Sequence, residues 1–393
     1  MTKVNGFRVW DTHFHCGRWW VSNNNAGGYF PSAESGRLVL RDFLAKDTFE
    51  IVNHNLDGNE VKLEKIFVSN LDCIAAQEPN GRNFLRNEYD GNIDLINRYK
   101  GNPNVFCYAV CQPSNGNIKN IEKLFAEYPN MFVGLKLHPT ALKLPANSFE
   151  YDDYMKFAQK HKLPCLFHSA VAIDWTTAAG KVIANKDKWD CADPRLIYEL
   201  AKRYPDVPVI LGHTGAGGDK AHQVAINVLL DSIAHKNANL YAEISWMDFA
   251  QDGLPSKNSK NLISLIRELK EKDKLDRIVF GTDAPLGCYG ETAKVSVDVS
   301  DAYFKTLSRL KEAIKLNFPN EADDILNKIL HENAKKLFDI KEAPVEMVKK
   351  VVSNQIQNLK NSKSGYVVGG VLGTIGAFLV LNKIFFSKTQ SKK

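Results

Sequence analysis

Eight short apolar runs of strand character recur along residues 1–340, and amphipathic helical patterns separate most of them. The runs lie at 7–15, 65–72, 105–112, 132–138, 164–168, 208–213, 239–245 and 277–283, with VFCYAVC, PVILGH and RIVFGTD the clearest. Residues 118–128, 149–161, 194–204, 221–236, 258–273 and 298–316 carry the helical pattern. Asp193-Pro194 before RLIYELAKRY makes a helix start, with Asp as cap and Pro in the first turn, where its missing N–H costs nothing. Strands alternating with helices pair in parallel, because each crossover must carry the chain back along the sheet. Eight such units predict one (β/α)8 TIM barrel with insertions over residues 1–340. A doubly wound open sheet is the other fold with this pattern, but no G-x-G-x-x-G follows the first strand.

Composition narrows the function classes. An apolar fraction of 44% with 24% charged residues is that of a globular chain. The formal charge of +6 is unevenly placed. Residues 341–393 hold nine lysines against two acids, whereas residues 1–340 hold 42 basic and 43 acidic groups. The body is neutral, which argues against nucleic acid as a partner. Seven cysteines (16, 73, 107, 111, 165, 191 and 288) form no C-x-x-C pair and several lie in apolar runs, pointing to a reducing compartment. Residues 1–10 contain no apolar core of a signal peptide.

The other end differs from the body. Gly365 to Asn382, GYVVGGVLGTIGAFLVLN, holds no charge over 18 residues, and Ile384-Phe385-Phe386 extends it past Lys383. As a helix, residues 365–386 would span about 33 Å, enough for a bilayer core of about 30 Å. The expectation is a polar, partly helical linker at 341–364, a transmembrane helix at 365–386 and a basic tail at 387–393. Gly365, Gly369, Gly373 and Ala377 fall four apart on one helix face, the kind of face that brings membrane helices together as a homo-oligomer. Such an anchor would hold the barrel at a membrane, on its cytoplasmic side, although lysines on both flanks leave the orientation open. A glycine-rich buried helix or a loose tail is the plainer reading.

Residues capable of chemistry collect at one end of the strands. The first strand ends in His13 and His15, the fourth in Lys136 and His138, the fifth in His168, the sixth in His213 and the eighth in Asp283. In a parallel barrel all carboxyl ends share one rim, so these groups would converge there. Side chains two apart share a strand face: His13 with His15, and Lys136 with His138, while Phe14, Leu135 and Leu137 point the other way. Burying a lysine among histidines without partners is costly, so a compensating ion is expected. Imidazole and carboxylate together suit zinc, and also manganese, iron or nickel.

The ordered motifs DTHFHCG, GLKLHPT, LFHSA, ILGHTGAGG, FGTDAP and ILHENAKKLFDI resemble the metal-dependent amidohydrolase superfamily. The nearest likeness is to the amidohydrolase-related branch that also includes metal-dependent decarboxylases, over roughly residues 8 to 340. The resemblance implies that His13, His15 and Asp283 bind the more buried divalent metal. His168 and His213 would bind a second, or one of them would contact substrate. Lys136 matches the position at which some members carry a carboxylated lysine bridging two metals; a lysine paired with an acid is the plainer reading. Asp283, His213 and Lys136 would be catalytic, acting with metal-activated water on an amide, lactone or ester of a small molecule. A one-metal decarboxylase of the same superfamily is the alternative, and an inactive membrane-tethered barrel serving as an interaction module is a second. Arg18, His138, Trp175 and Trp246 are candidate substrate contacts, and Glu243 shares a strand face with Tyr241 and Ser245.

Overall fold

The computed structural model describes residues 6–16, 19–22, 37–40, 54–56, 59–74, 86–100, 102, 104–171, 190–216, 218–247, 259–284 and 299–340. In chain order the strands are β1 (Gly6–Cys16), β2 (Trp19–Ser22), β3 (Arg37–Leu40), β4 (His54–Leu56), β5 (Asn59–Asn70), β6 (Val105–Cys111), β7 (Phe132–Leu137), β8 (Cys165–Ala170), β9 (Pro208–Ala216), β10 (Asn239–Glu243) and β11 (Ile278–Val279). The α-helices are α1 (Glu88–Tyr99), α2 (Ile118–Glu127), α3 (Pro139–Leu142), α4 (Asp152–His161), α5 (Pro194–Arg203), α6 (Asp219–His235), α7 (Lys260–Glu271), α8 (Val299–Asn317), α9 (Ala322–Asn327) and α10 (Asn333–Phe338). By internal contacts the chain divides into Met1–Asp339 and Ile340–Lys393.

The sheet runs β1-β5-β6-β7-β8-β9-β10-β11, every step parallel. Residues just after β11 return to β1: Thr12 N donates to Phe280 O at 2.9 Å, Asp283 N to His13 O at 2.8 Å and His15 N to Ala284 O at 2.7 Å. The eight strands thereby curl round into the expected barrel. β11 is shorter than the run 277–283, because from Phe280 onward the backbone bonds to β1 across this seam instead of to β10. Asp11 clasps the seam: Oδ1 accepts from Thr282 N at 3.1 Å and Oδ2 from Thr282 Oγ1 at 2.6 Å.

Alternation places the layers as the sequence predicts. Phe14, Leu135 and Leu137 are buried in the apolar layer between strands and helices, while Lys136 is buried inside the barrel against His13. Asp193 caps α5, its Oδ1 accepting from Arg195 N at 2.8 Å with Pro194 in the first turn. The six described cysteines are buried and none forms a disulfide.

Several elements depart from the sequence pattern, among them β2, β3, β4 and α1. The β2–β3 hairpin and β4, antiparallel to β5, decorate the connection after β1. Helix α1 carries Gly91 and Asn92 in its middle, poor helix formers that hide its period. Both are retained for contacts: a Cβ at Gly91 would collide with the Cys73 sulfur, and Asn92 exchanges 2.9 Å hydrogen bonds with both backbone groups of Val110 on β6. Among the described residues no helix is long and apolar enough to cross a membrane. Residues 341–364, 365–386 and 387–393 lie outside the described residues.

Candidate metal centre

His13 and His15 from β1, Lys136 from β7, His168 from β8, His213 from β9 and Asp283 from just beyond β11 meet at one end of the barrel. His13, His213 and Asp283 each offer an atom, and these atoms lie within 4.8 Å of one another. Asp283 Oδ1 faces His15 Nε2 at 2.9 Å and His13 Nε2 at 3.3 Å. Lys136 Nζ stands 2.8 Å from His13 Nε2, and His168 Nδ1 lies 3.1 Å from His213 Nε2. All of these side chains are buried except His168, which is half-buried.

Proton accounting then fixes which ring nitrogens face the centre. Glu243, wholly buried, is the hub: its Oε2 meets His13 Nδ1 at 2.8 Å, His213 N at 2.9 Å and Ser245 Oγ at 2.8 Å, and its Oε1 meets Ser245 N at 2.6 Å. An ionised carboxylate only accepts, so His13 Nδ1 carries a proton and Ser245 spends its hydroxyl proton on Glu243. Ser245 Oγ, 2.8 Å from His213 Nδ1, must then accept, so His213 is also protonated at Nδ1. Both rings turn an Nε2 lone pair inward, the form a metal requires. His15 Nδ1 is engaged likewise by Ser69 Oγ at 2.8 Å, from the neighbouring strand position.

Electrostatics favours neutral imidazoles beside an ionised Asp283. Burial is the largest influence on His13, His15 and His168 and lowers all three, His13 and His168 well below the ordinary histidine range. Burial brings His213 down to about 3 against the pull of Asp283. Burial would raise Asp283, but His213, His15 and Lys136 outweigh it and hold the carboxyl well below the usual range. Burial drops Lys136 to about 8, and it lifts Glu243 to about 7, against which the hydrogen bonds from His213 N, Ser245 N and Ser245 Oγ pull toward the ionised form. Neutral imidazoles beside an ionised carboxylate bind a divalent cation with few protons to displace. The donor set fits such an ion.

The rim stores backbone strain. His213, Thr214, Trp246 and Asp283 all have left-handed φ, of 62°, 43°, 60° and 53°. A non-glycine residue there costs roughly 1–3 kcal/mol, and such residues cluster where a side chain must be aimed. Thr214 is held by its Oγ1 donating to Glu243 O at 2.8 Å, and His222 Nδ1 lies 3.0 Å from Thr214 O. Gly281 leaves room for the hub, since a Cβ there would lie 2.5 Å from Glu243 Oε1 and 2.7 Å from the His13 Cβ.

Of the residues singled out from sequence, His13, His15, Lys136, His168, His213 and Asp283 come together here. His138 stacks on His168 with ring centroids 4.0 Å apart, and its Nδ1 caps α3 by accepting from Ala141 N at 3.2 Å. Trp246 donates its indole N–H to Asp283 Oδ2 at 2.8 Å. Arg18 and Trp175 lie outside the described residues. The hub role of Glu243, Ser245 as partner of His213 and Ser69 as partner of His15 were not readable in the chain. Strand parity, which sets Glu243 and Ser245 on one face, is the only signal that pointed toward any of them.

A family model described as Amidohydrolase matches residues 104–340, which hold Lys136, His168, His213 and Asp283 but not His13 or His15. Among solved structures, an amidohydrolase from Burkholderia multivorans with bound zinc is 10% identical over 85% of this chain and 99% of that one, with a TM-score of 0.51. A Staphylococcus aureus protein assigned as an amidohydrolase is 14% identical over 85% of this chain and 100% of that one, also at 0.51. A 2,6-dihydroxybenzoate decarboxylase from Rhizobium is 13% identical over 85% and 99%, at 0.49. No curated protein sequence matches the chain.

Proposed function

The chain belongs to the amidohydrolase family, and from that premise we propose that it is a metal-dependent hydrolase of a small-molecule amide, lactone or ester. The observation that carries the reading is the inward Nε2 lone pairs of His13 and His213 beside His15 and the ionised Asp283. His13, His15 and Asp283 are assigned to one divalent ion, zinc before manganese, iron or nickel. His168 and His213 are assigned to a second ion, with Lys136, as its carboxylated form, between the two. A bound divalent ion supplies Lewis acidity and lowers the pKa of water toward about 7. Asp283 would take the proton of the attacking water and deliver it to the leaving group. His213, whose one ring proton is engaged with Ser245, would hold the ion whose Lewis acidity polarises the scissile carbonyl as negative charge gathers on its oxygen. His138 and Trp246, bordering the set, are assigned to substrate contact, as are Arg18, two residues after β1 in the sequence, and Trp175, five residues after β8.

The test begins by stripping the full chain with a chelator and titrating back zinc. Bound equivalents are counted while panels of amides, lactones and esters, and of aromatic and unsaturated carboxylic acids, are assayed. Hydrolysis restored at about two equivalents is the expected result. Release of carbon dioxide at one equivalent would replace hydrolysis by decarboxylation, and a chain that binds no metal would be an interaction module.

We also propose that residues 365–386 tether the barrel to a membrane, with the Gly365/Gly369/Gly373/Ala377 face pairing copies of the chain. Deleting residues 365–393 should move the protein from the membrane to the soluble fraction with turnover unchanged. A full-length chain found in the soluble fraction would refute the anchor.

A further inference from the structure

We propose that the end of β10 and the residues after it, Glu243-Ile244-Ser245-Trp246, form a positioning clamp that holds His13, His213 and Asp283 by one hydrogen bond each while supplying no ligand itself. The inference rests on the metal-dependent reading above. Glu243 Oε2 takes the His13 Nδ1 proton at 2.8 Å, Ser245 Oγ that of His213 Nδ1 at 2.8 Å, and Trp246 Nε1–H donates to Asp283 Oδ2 at 2.8 Å. Those three partners are the same three residues whose donor atoms lie within 4.8 Å of one another.

Backbone geometry explains how four consecutive residues can do this. Glu243 and Ser245 point into the barrel by strand parity, and Ile244 points out, where it is buried in the apolar layer and anchors the segment. By the same parity Trp246 should also point outward. Its left-handed φ of 60° breaks the strand and swings the indole back to the centre. Glu243 stiffens that turn by accepting from both Ser245 N and Ser245 Oγ.

The chemical consequences differ for each ligand. Glu243 and Ser245 set the tautomers that leave His13 Nε2 and His213 Nε2 as acceptors. Trp246 occupies Asp283 Oδ2, so Oδ1 is the oxygen presented to His13 and His15. Preorganisation of this kind sets metal affinity more than fold stability, because the partners of metal ligands are typically worth about 10–100-fold in binding.

The experiment measures zinc binding to the stripped full chain by competition with a chelator, repeated with manganese, alongside melting temperature. Glu243→Gln weakens the hub by setting an amide N–H against donors that the carboxylate accepts from, and Ser245→Ala and Trp246→Phe each remove one contact of the clamp. A control, Asn333→Ala, strips the hydrogen bonds from Asn333 Nδ2 to Leu275 O and Ile278 O, both 2.8 Å, where the chain enters β11. Each clamp variant should bind metal about 10–100-fold more weakly, while the control melts lower and binds as tightly as the wild type. If Glu243→Gln does not fold, Ser245→Ala and Trp246→Phe, each losing a single polar atom or N–H, carry the test. Clamp variants that bind metal like the wild type would overturn the clamp alone. So would a control that weakens binding as much as they do, since the effect would then be loss of stability. A wild-type chain that binds neither ion overturns the metal reading and the clamp with it.

Discussion

Replacing Asp283 by Asn is expected to reduce turnover by at least about a thousandfold with the fold in place, within the 10²–10⁴ range typical of a lost general acid–base group. The substitution keeps shape and volume but removes the charge that His15 Nε2 and His13 Nε2 face at 2.9 and 3.3 Å. It also sets an amide where Oδ2 now accepts from the Trp246 indole and Oδ1 lies 2.9 Å from His15 Nε2. With its oxygen kept toward the indole, the amide turns to the centre a nitrogen that donates and cannot accept, in place of the oxygen proposed to hold the ion. Steady-state kinetics on the best substrate of the panel, with circular dichroism for the fold, measures the outcome. Retained turnover would remove Asp283 from the proton path.

Truncating Phe280 to Ala should cost about 3–5 kcal/mol of unfolding free energy, the usual range for losing a buried aromatic. Phe280 is 1% exposed and belongs to the main apolar cluster. Its carbonyl holds the seam by accepting from Thr12 N at 2.9 Å and Thr12 Oγ1 at 2.8 Å, and its N–H ties the strand to Ile329 O at 3.2 Å. A cavity there loosens the junction where the last barrel strand meets the first, three residues before Asp283. Phe280→Leu retains most of the volume and should cost only about 1 kcal/mol. Urea denaturation of both variants checks the pair, and equal losses would show that side-chain volume is not what the position requires.

The barrel was legible because its signal is local and repeated. Period-two alternation in GLKLHPT separates Lys136 from Leu135 and Leu137 without knowledge of any other strand, and the same holds for His13 and His15 about Phe14. Parallel strands then force their carboxyl ends to one rim, which is why His13, His168, His213 and Asp283 could be grouped while far apart in the chain. Helix α1 escaped because Gly91 and Asn92 serve Cys73 and Val110, neighbours that its own period does not contain.

Chain order and periodicity therefore dictated the strands, their direction and which side chains look inward, all properties of residues a few positions apart. They were silent about the hydrogen that Glu243 accepts from His13 across 230 residues, the serines that engage His15 and His213, and the indole that reaches Asp283. Those pairings depend on how three strand ends turn at the rim, and there the left-handed backbones of His213, Trp246 and Asp283 break the alternation from which the rest was read. Such conformations persist because long-range contacts outweigh their local cost. Folding brought these side chains together; the non-local hydrogen bonds decided which atom of each faces the centre.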